Sequence, residues 1–372
     1  MEVFYDLQQI CLIPTQINGG NEIERRMDLS VIDSFDRTGA NPRSYPIFTS
    51  PMDSVVDKET SKMYVSNNIK PVLPLTESIE VRLEMCQWIF CSFTMEEVEK
   101  LFVTTKRVCQ NQLHVCIETP NPHSVDLLRL CRRLREYYGT NGMLIMVGPV
   151  GNGEIILEYA RLGINYMRVG MQNGSLADPR LYGFHYPSAS LLENIERIKK
   201  TSGVGISRFP KVILDGGITC QSDIIKAIAL GADYVMIGRE FAECIEAAGP
   251  IFARVKNKDT GKLENIQVPV EELAGADPVK AKVNGWKRRY YPSSSPEIRA
   301  KVLGFSSTEE YMKARDMGLR VHLANKELNV DKSINEWLVN FENCARYAFL
   351  MTGTTCWSDY KLRVRYAVNS EW

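Results

Sequence analysis

From about residue 112 the chain alternates short apolar runs with longer amphipathic ones. The short runs are LHVCI, MLIMV, INYMRV, KVIL and DYVMI, each rich in Val, Ile, Leu or Met and each ending near Gly, Asp or Glu. Uninterrupted apolar runs of this length predict strands buried on both faces. Between them lie SVDLLRLCRRLREYY, EIILEYARL, SLLENIERIKK and QSDIIKAIAL, whose apolar positions recur at three- and four-residue steps. That period predicts helices with one buried stripe. Strand and helix alternating at this spacing predict βαβ units and a parallel sheet.

An internal echo narrows the architecture. The segment Leu162-Gly163-Ile164-Asn165-Tyr166-Met167-Arg168-Val169-Gly170 matches Leu230-Gly231-Ala232-Asp233-Tyr234-Val235-Met236-Ile237-Gly238. In both, a helix stops at Gly, a short turn follows, and a strand runs into a second Gly. Repeated βα units favour an α/β fold of the (β/α)8 TIM barrel type over an open sheet. Residues 250 to 300 break the alternation: KNKDTGKLEN reads as a polar hairpin and GADPVKAKVNGWKRRYYPSSSPE as a long surface loop. The expectation is one barrel domain over 1–372, with a flap-like insertion at about 250–300. SINEWLVNFENCARYAFLM returns to helical periodicity, and KLRVRYAV alternates like an edge strand.

Composition narrows the function classes. The 372 residues carry 45 Lys plus Arg against 45 Asp plus Glu, a formal net charge of zero. Such a balance leaves no electrostatic footprint for sequence-blind nucleic-acid binding. No apolar run approaches the roughly 20 residues that span a bilayer, and MEVFYDLQQI reads as no signal peptide; a cytoplasmic, membrane-free protein is expected. The ten cysteines form no C-x-x-C pair and several sit in apolar runs, which predicts reduced, buried thiols. The four histidines show no metal-ligand spacing, so no metal is expected.

Candidate chemistry falls where barrel strands end. ILDGGI offers Asp215, Gly216 and Gly217; VMIGRE offers Gly238 and Arg239; GMQNGS offers the Gly174 N–H and Ser175 Oγ. Glycines let backbone N–H groups approach an anion closely, so three such loops on one face predict a phosphate cradle. Asp215 is expected either to accept hydrogen bonds from sugar hydroxyls or to serve as a turn or capping carboxylate.

Taken together, Ser50-Pro51-Met52-Asp53-Ser54-Val55, Gly170-Met171-Gln172-Asn173-Gly174-Ser175, Leu214-Asp215-Gly216-Gly217-Ile218 and Ala229 to Gly238 resemble the IMP dehydrogenase/GMP reductase family. The opening Tyr5-Asp6-Leu7 and Leu12-Ile13-Pro14 resemble that family's start, and no regulatory CBS insert follows Ser54, a layout nearer GMP reductase. The resemblance implies a (β/α)8 barrel, a purine nucleoside 5′-monophosphate as ligand, NAD(P) as hydride partner and a homotetramer. It places Ser175 at the phosphate, Asp215 at the ribose, Gly216, Gly217, Gly238 and Arg239 in the phosphate loops, and Met52 beside the base. Tyr290 to Ser295 then occupy the base-contacting loop, with Ser294 and Ser295 as its ligand-facing residues.

The catalytic half of the family pattern is absent. Ala177 stands at the position of the family's nucleophilic Cys, and Pro179 where an activating Thr is expected. A methyl group cannot attack, and Pro has neither a hydroxyl nor an N–H. Glu118 replaces the Asp that faces the nicotinamide, and Pro149 replaces the Asn of the Gly-Asn loop. The altered centre still offers Asp178, Arg180, Tyr182 and His185 on one side and Glu118 and His123 opposite, with Glu297 in the long loop. Asp178 and Glu297 are the candidate acid–base pair and Arg180 a candidate charge stabiliser. Three readings remain open: a Cys-independent enzyme acting on a nucleotide, an inactive nucleotide-binding relative with a sensing or scaffolding role, and ordinary NAD(P)-dependent activity.

Overall fold

Eight short parallel strands close on themselves around an aromatic interior. The computed structural model describes residues 4–15, 44–105, 111–119, 121–170, 184–256, 262–273, 275–291, 295–314 and 326–369. After β1 (Ile10–Ile13) come β2 (Ile47–Thr49), β3 (Val72–Leu73), β4 (Phe90–Thr94), β5 (Leu113–Glu118), β6 (Met143–Val150), β7 (Tyr166–Val169), β8 (Lys211–Asp215) and β9 (Tyr234–Ile237). The last eight form one sheet in the order β2-β9-β8-β7-β6-β5-β4-β3. Lys70, just before β3, bridges Phe48 of β2 in parallel, its N–H donating to Ile47 O at 3.0 Å and its carbonyl accepting from Thr49 N–H at 3.0 Å. That bridge joins the two ends of the sheet. The chain is a (β/α)8 barrel, as the alternation predicts.

The five apolar runs are β5 to β9. The four amphipathic stretches are the helices Val125–Gly142, Ile156–Leu162, Ser188–Thr201 and Gln221–Ala229. Their boundaries follow local chemistry. Ser124 Oγ accepts the Leu127 N–H at the first of these, and Gly163, at φ 68°, ends the second in the left-handed region. Inward-pointing residues fill the barrel with rings: Phe48 packs edge-on to Phe90, Tyr166 and Tyr234, with centroids 6.0, 5.8 and 5.2 Å away. Tyr166 and Tyr234 are the matching positions of the internal echo. Two residues on, Met236 continues the apolar interior of β9, whereas β7 places Arg168 there.

The insertion is more ordered than its sequence suggests. β10 (Ile251–Lys256) and β11 (Leu263–Gln267) make the expected antiparallel hairpin. The stretch expected as a long loop instead carries the helix Pro278–Val283, β12 (Lys287–Tyr290) and the helix Pro296–Val302. Asp277 accepts the Lys280 N–H and Pro278 opens the first of these helices, a start signal the loop-like composition concealed. Trp286 then packs with Ile251, Val268, Ala281 and Val330 in a small core separate from the barrel. β13 (Lys326–Asn329) completes the sheet β11-β10-β12-β13, so the insertion draws on residues beyond 300.

Arg288 of β12, only 1% exposed, fastens this sheet to the barrel. Its guanidinium donates to the carbonyls of Ala242, Cys244 and Ala247 at 2.6, 2.7 and 2.9 Å. The C-terminal part forms the helices Ile334–Thr352 and Trp357–Arg363. It ends in β14 (Arg365–Val368), which pairs antiparallel with β1 as an edge strand. Among the described residues no helix is long and apolar enough to cross a membrane.

Asp233 ties the helix Trp357–Arg363 to the start of β9. Its carboxylate accepts the Val212 N–H at 2.8 Å and Lys361 Nζ at 3.2 Å. Burial opposes its charge, yet Lys361, Lys199 and Lys211 outweigh burial and hold it down at about 2. A carboxylate depressed in the folded state stabilises above its unfolded value and loses that contribution as pH falls through the folded one. Asp233→Asn is therefore expected to cost about 2 kcal/mol near neutral pH. The gap to the native protein should close as pH falls from about 4 to about 2, read by urea unfolding at a series of pH values.

Candidate functional site

The strand ends of the barrel bring two carboxylates to opposite sides of one cation. Arg168 on β7 is 5% exposed, and its guanidinium reaches across the mouth. Nε and Nη2 donate to Asp215 Oδ2 of β8 at 2.9 and 2.7 Å, and Nη1 donates to Glu118 Oε1 of β5. Burial disfavours the charge of Arg168, but Glu118 and Asp215 more than compensate and raise its pKa well above the usual value. Gly148, at φ 136°, makes this packing possible, because a Cβ there would lie 2.5 Å from Arg168 O.

Below this clamp lies Cys116, whose Sγ is 3.5 Å from Arg168 Nη1. Burial pushes its thiol up to about 12, against the pull of Arg168. It stays a protonated thiol. On the Glu118 side, Ser92 Oγ donates to Oε1 at 3.4 Å, and a narrow cleft runs past Met52, Leu75, Ser92, Tyr291 and Ile298. Lys301, on the helix Pro296–Val302, stands 3.7 Å from Asp53 Oδ2 and links that helix to the loop after β2. Burial raises the Asp53 carboxyl above its ordinary value, with Lys301 acting the other way.

On the opposite side, Gly238 follows β9 beneath the hydroxyl of Tyr290. A Cβ at Gly238 would lie 2.5 Å from Tyr290 Oη, 3.1 Å from Ser50 Oγ and 3.3 Å from Met52 Sδ, so these groups converge over one glycine. Burial, followed by the nearby Asp215 charge, pushes the Tyr290 phenol far up, which keeps it a hydroxyl donor. Lys332 orders the turn behind Gly238, with Nζ 3.0 Å from Glu240 Oε2 and 2.6 Å from Glu243 Oε2.

The sequence candidates divide as follows. Met52, Asp215, Gly216, Gly217, Gly238 and Glu118 stand at the strand ends or in the loops just after them, with Gly216 and Gly217 at φ 94° and 80°. Arg239 is turned to Glu243, with Nε–Oε1 2.9 Å and its side chain 42% exposed. Ser295 is fully buried and caps the helix Pro296–Val302 by accepting the Ile298 N–H at 3.3 Å. Glu297 lies in the first turn of that helix. His123 lies in the loop after β5, its backbone N–H bonded to Asn121 Oδ1, and burial lowers its pKa. Gly174, Ser175, Ala177, Asp178, Arg180 and Ser294 lie outside the described residues.

Sequence reasoning missed Arg168 and gave no part to the Tyr290 hydroxyl. The signal for Arg168 was available, because the internal echo sets it against Met236 at an inward position of a strand buried on both faces. A groove of about 660 Å³ lies elsewhere, on the outer wall between the helices Ser188–Thr201 and Trp357–Arg363. It collects Tyr186, Arg197, Lys200 and Leu362 but none of the strand-end groups.

A family model described as IMP dehydrogenase / GMP reductase domain matches residues 93–262. GMP reductase from Shewanella pealeana is 25% identical over 236 residues, covering 61% of this chain and 66% of that protein. Human GMP reductase 1 is 31% identical over 159 residues, 42% of this chain and 44% of that protein. The matched stretches thus span two thirds or less of these relatives' length. A crystal structure of inosine 5′-monophosphate dehydrogenase from Legionella pneumophila shares the fold, with a TM-score of 0.67 over 99% of each chain at 15% identity.

Removing the Arg168 guanidinium leaves Glu118 and Asp215 facing each other without a cation. Arg168→Ala is expected to destabilise the protein by about 3–5 kcal/mol, the usual cost of breaking a buried ion pair from one side. Arg168→Lys should cost less. Urea unfolding measures both, and a loss below about 1 kcal/mol for Arg168→Ala would contradict this role.

Proposed function

Since the chain belongs to the IMP dehydrogenase/GMP reductase family, we propose that its barrel mouth binds a purine nucleoside 5′-monophosphate or close analogue. We further propose that it acts on this ligand without a covalent cysteine adduct. The observation that carries the reading is the Asp215 carboxylate, held at the end of β8 by Arg168 through Oδ2, while Oδ1 accepts from no protein group among the described residues. A carboxylate fixed in this way is a strong acceptor for a sugar hydroxyl. Gly216 and Gly217 follow it with no side chain to obstruct a close approach. The Tyr290 hydroxyl, kept protonated by burial, stands over Gly238 as a donor for the phosphate.

With Ala177 at the nucleophile position, the covalent route that splits one hard step into two is closed. What remains is proton transfer and charge stabilisation, for which Asp178, Glu297 and Arg180 are the proposed groups. NAD(P) is the hydride carrier the family resemblance implies, with Glu118 and His123 on its side. The cleft beside Glu118 is a narrow slot lined by Met52, Ser92, Tyr291 and Ile298. The resemblance extends the proposal to a cytoplasmic homotetramer.

A second reading, an inactive nucleotide-binding relative, is favoured by the same slot and by Tyr290 covering Gly238. Both readings require the nucleotide to bind. Guanosine 5′-monophosphate at a hundred times its Kd should add about 2.7 kcal/mol of stability in a melting scan. Asp215→Asn should weaken its binding by about tenfold or more, and an affinity within about twofold of native would contradict the sugar-side assignment. Ala177→Cys should not create turnover of reduced nicotinamide with this nucleotide. Measurable turnover in that variant would show that the rest of the family centre is intact.

A further inference from the structure

The insertion sheet has one buried face and one open face. Ile251, Arg288, Tyr290 and Leu328 are buried on the side of the small core and the barrel. Residues directly opposite in a ladder share a face. Phe252 and Lys287 therefore stand together on the other side, as do Arg254 with Asn265 and Arg289 with Glu327. Arg254, Lys256, Asn265 and Arg289 are exposed there.

Four cations form a row on this open face. The register of Phe252 against Lys287 sets Arg289, Lys287, Arg254 and Lys256 at successive two-residue steps along the β12–β10 ladder. Each step is about 6.8 Å. Glu327 is the one carboxylate on this face of the four strands, 3.8 Å from Lys287. Arg254, Lys256 and Arg289 enter no ion pair among the described residues. Arg289 instead lies over the Phe252 ring, its guanidinium carbon 4.7 Å from the ring centre. The zero net charge of the chain excludes a uniformly positive surface, not a local row of this kind.

We propose that the open face of the insertion sheet binds single-stranded nucleic acid, with phosphates along the cation row and a base stacked on Arg289. The step of the row is close to the spacing of successive phosphates along an extended strand. A guanidinium backed by a ring offers its outer plane to a base. The amides of Asn265 and Gln267, on the same face of β11, add donors and acceptors beside the row. An acidic peptide would use the charges but leave the stacking position idle, and a duplex keeps its bases inside. The surface is separate from the barrel mouth, because Tyr290 projects from the other side of β12.

Fluorescence anisotropy of the full chain with a labelled single-stranded RNA, and with a DNA of the same sequence, tests this at about 50 mM salt. Binding of either strand is expected, with a Kd of about 1–100 µM. The stronger of the two identifies the strand preferred. The logarithm of the association constant should fall with that of salt at a slope of about −2 to −3, the value for three or four phosphates. Arg254→Gln with Lys256→Gln should bring the slope to about −1 and weaken binding about tenfold or more. Arg289→Lys keeps the charge but loses the stacking plane, so binding should weaken at least about fivefold with the slope unchanged. Glu327→Gln removes the one anion and should tighten binding, a gain that misfolding cannot imitate. Absence of binding by both strands overturns the proposal, as does equal affinity for a duplex. Displacement by excess guanosine 5′-monophosphate would put the strand at the barrel mouth and also overturns it. Arg289→Lys binding like the native protein, with polyglutamate displacing the strand, would assign the face to acidic proteins instead.

Discussion

A full positive charge sits inside the top of the barrel, on Arg168, where little water reaches it. An isolated cation in such a place is costly to desolvate, and it persists because two carboxylates from different strands converge on it. Much of the mouth follows from that constraint. β5, β7 and β8 are tied together at their C-terminal ends, Gly148 must lack a Cβ to let Arg168 pass, and Asp215 is held in place rather than left to swing. Beneath the clamp the interior turns apolar at once, through Cys116 and Met146 to the rings of Phe48, Phe90, Tyr166 and Tyr234. The site is a thin polar layer on a packed core, and it faces the mouth because nothing below can hold charge.

The wall beside the mouth depends on a second buried cation. Arg288 gathers the carbonyls of the turn after Gly238, and Lys332 gathers the carboxylates of Glu240 and Glu243. Both reach out of the insertion, so the insertion sheet and the β9 loop set each other's position. Tyr290 is delivered over Gly238 by that arrangement, two residues along β12 from Arg288. A segment with the composition of a flap is therefore anchored at its base, and its Tyr290 hydroxyl stands over Gly238.

The barrel was legible because its strands are buried on both faces. Uninterrupted runs such as MLIMV and DYVMI are too short for a helix and too apolar for a strand with one wet face. The echo of β7 in β9 was real, down to the matched tyrosines. The insertion was harder to read, since its helix and strand are short and polar and its core rests on one tryptophan. Asp215 was singled out from its place before two glycines, but its partner Arg168 was not. Arg168 lies 47 residues away in sequence, and only the closed barrel makes them neighbours. Arg239 and Ser295 stand in the stretches picked out by motif; the structure adds that one pairs with Glu243 and the other caps a helix, local bonds that a motif does not show.

The central proposal is that a nucleoside monophosphate lies in the mouth with its sugar against the Asp215 carboxylate that Arg168 holds in place. A crystal structure of the protein soaked with guanosine 5′-monophosphate tests it most directly. The account predicts the sugar within hydrogen-bond distance of Asp215 Oδ1, the phosphate near Gly238 and the Tyr290 hydroxyl, and the Arg168 bonds to Oδ2 and to Glu118 intact. A nucleotide seated in the outer groove beside Arg197 and Lys200, or an Arg168 displaced from Asp215 by the sugar, would contradict it.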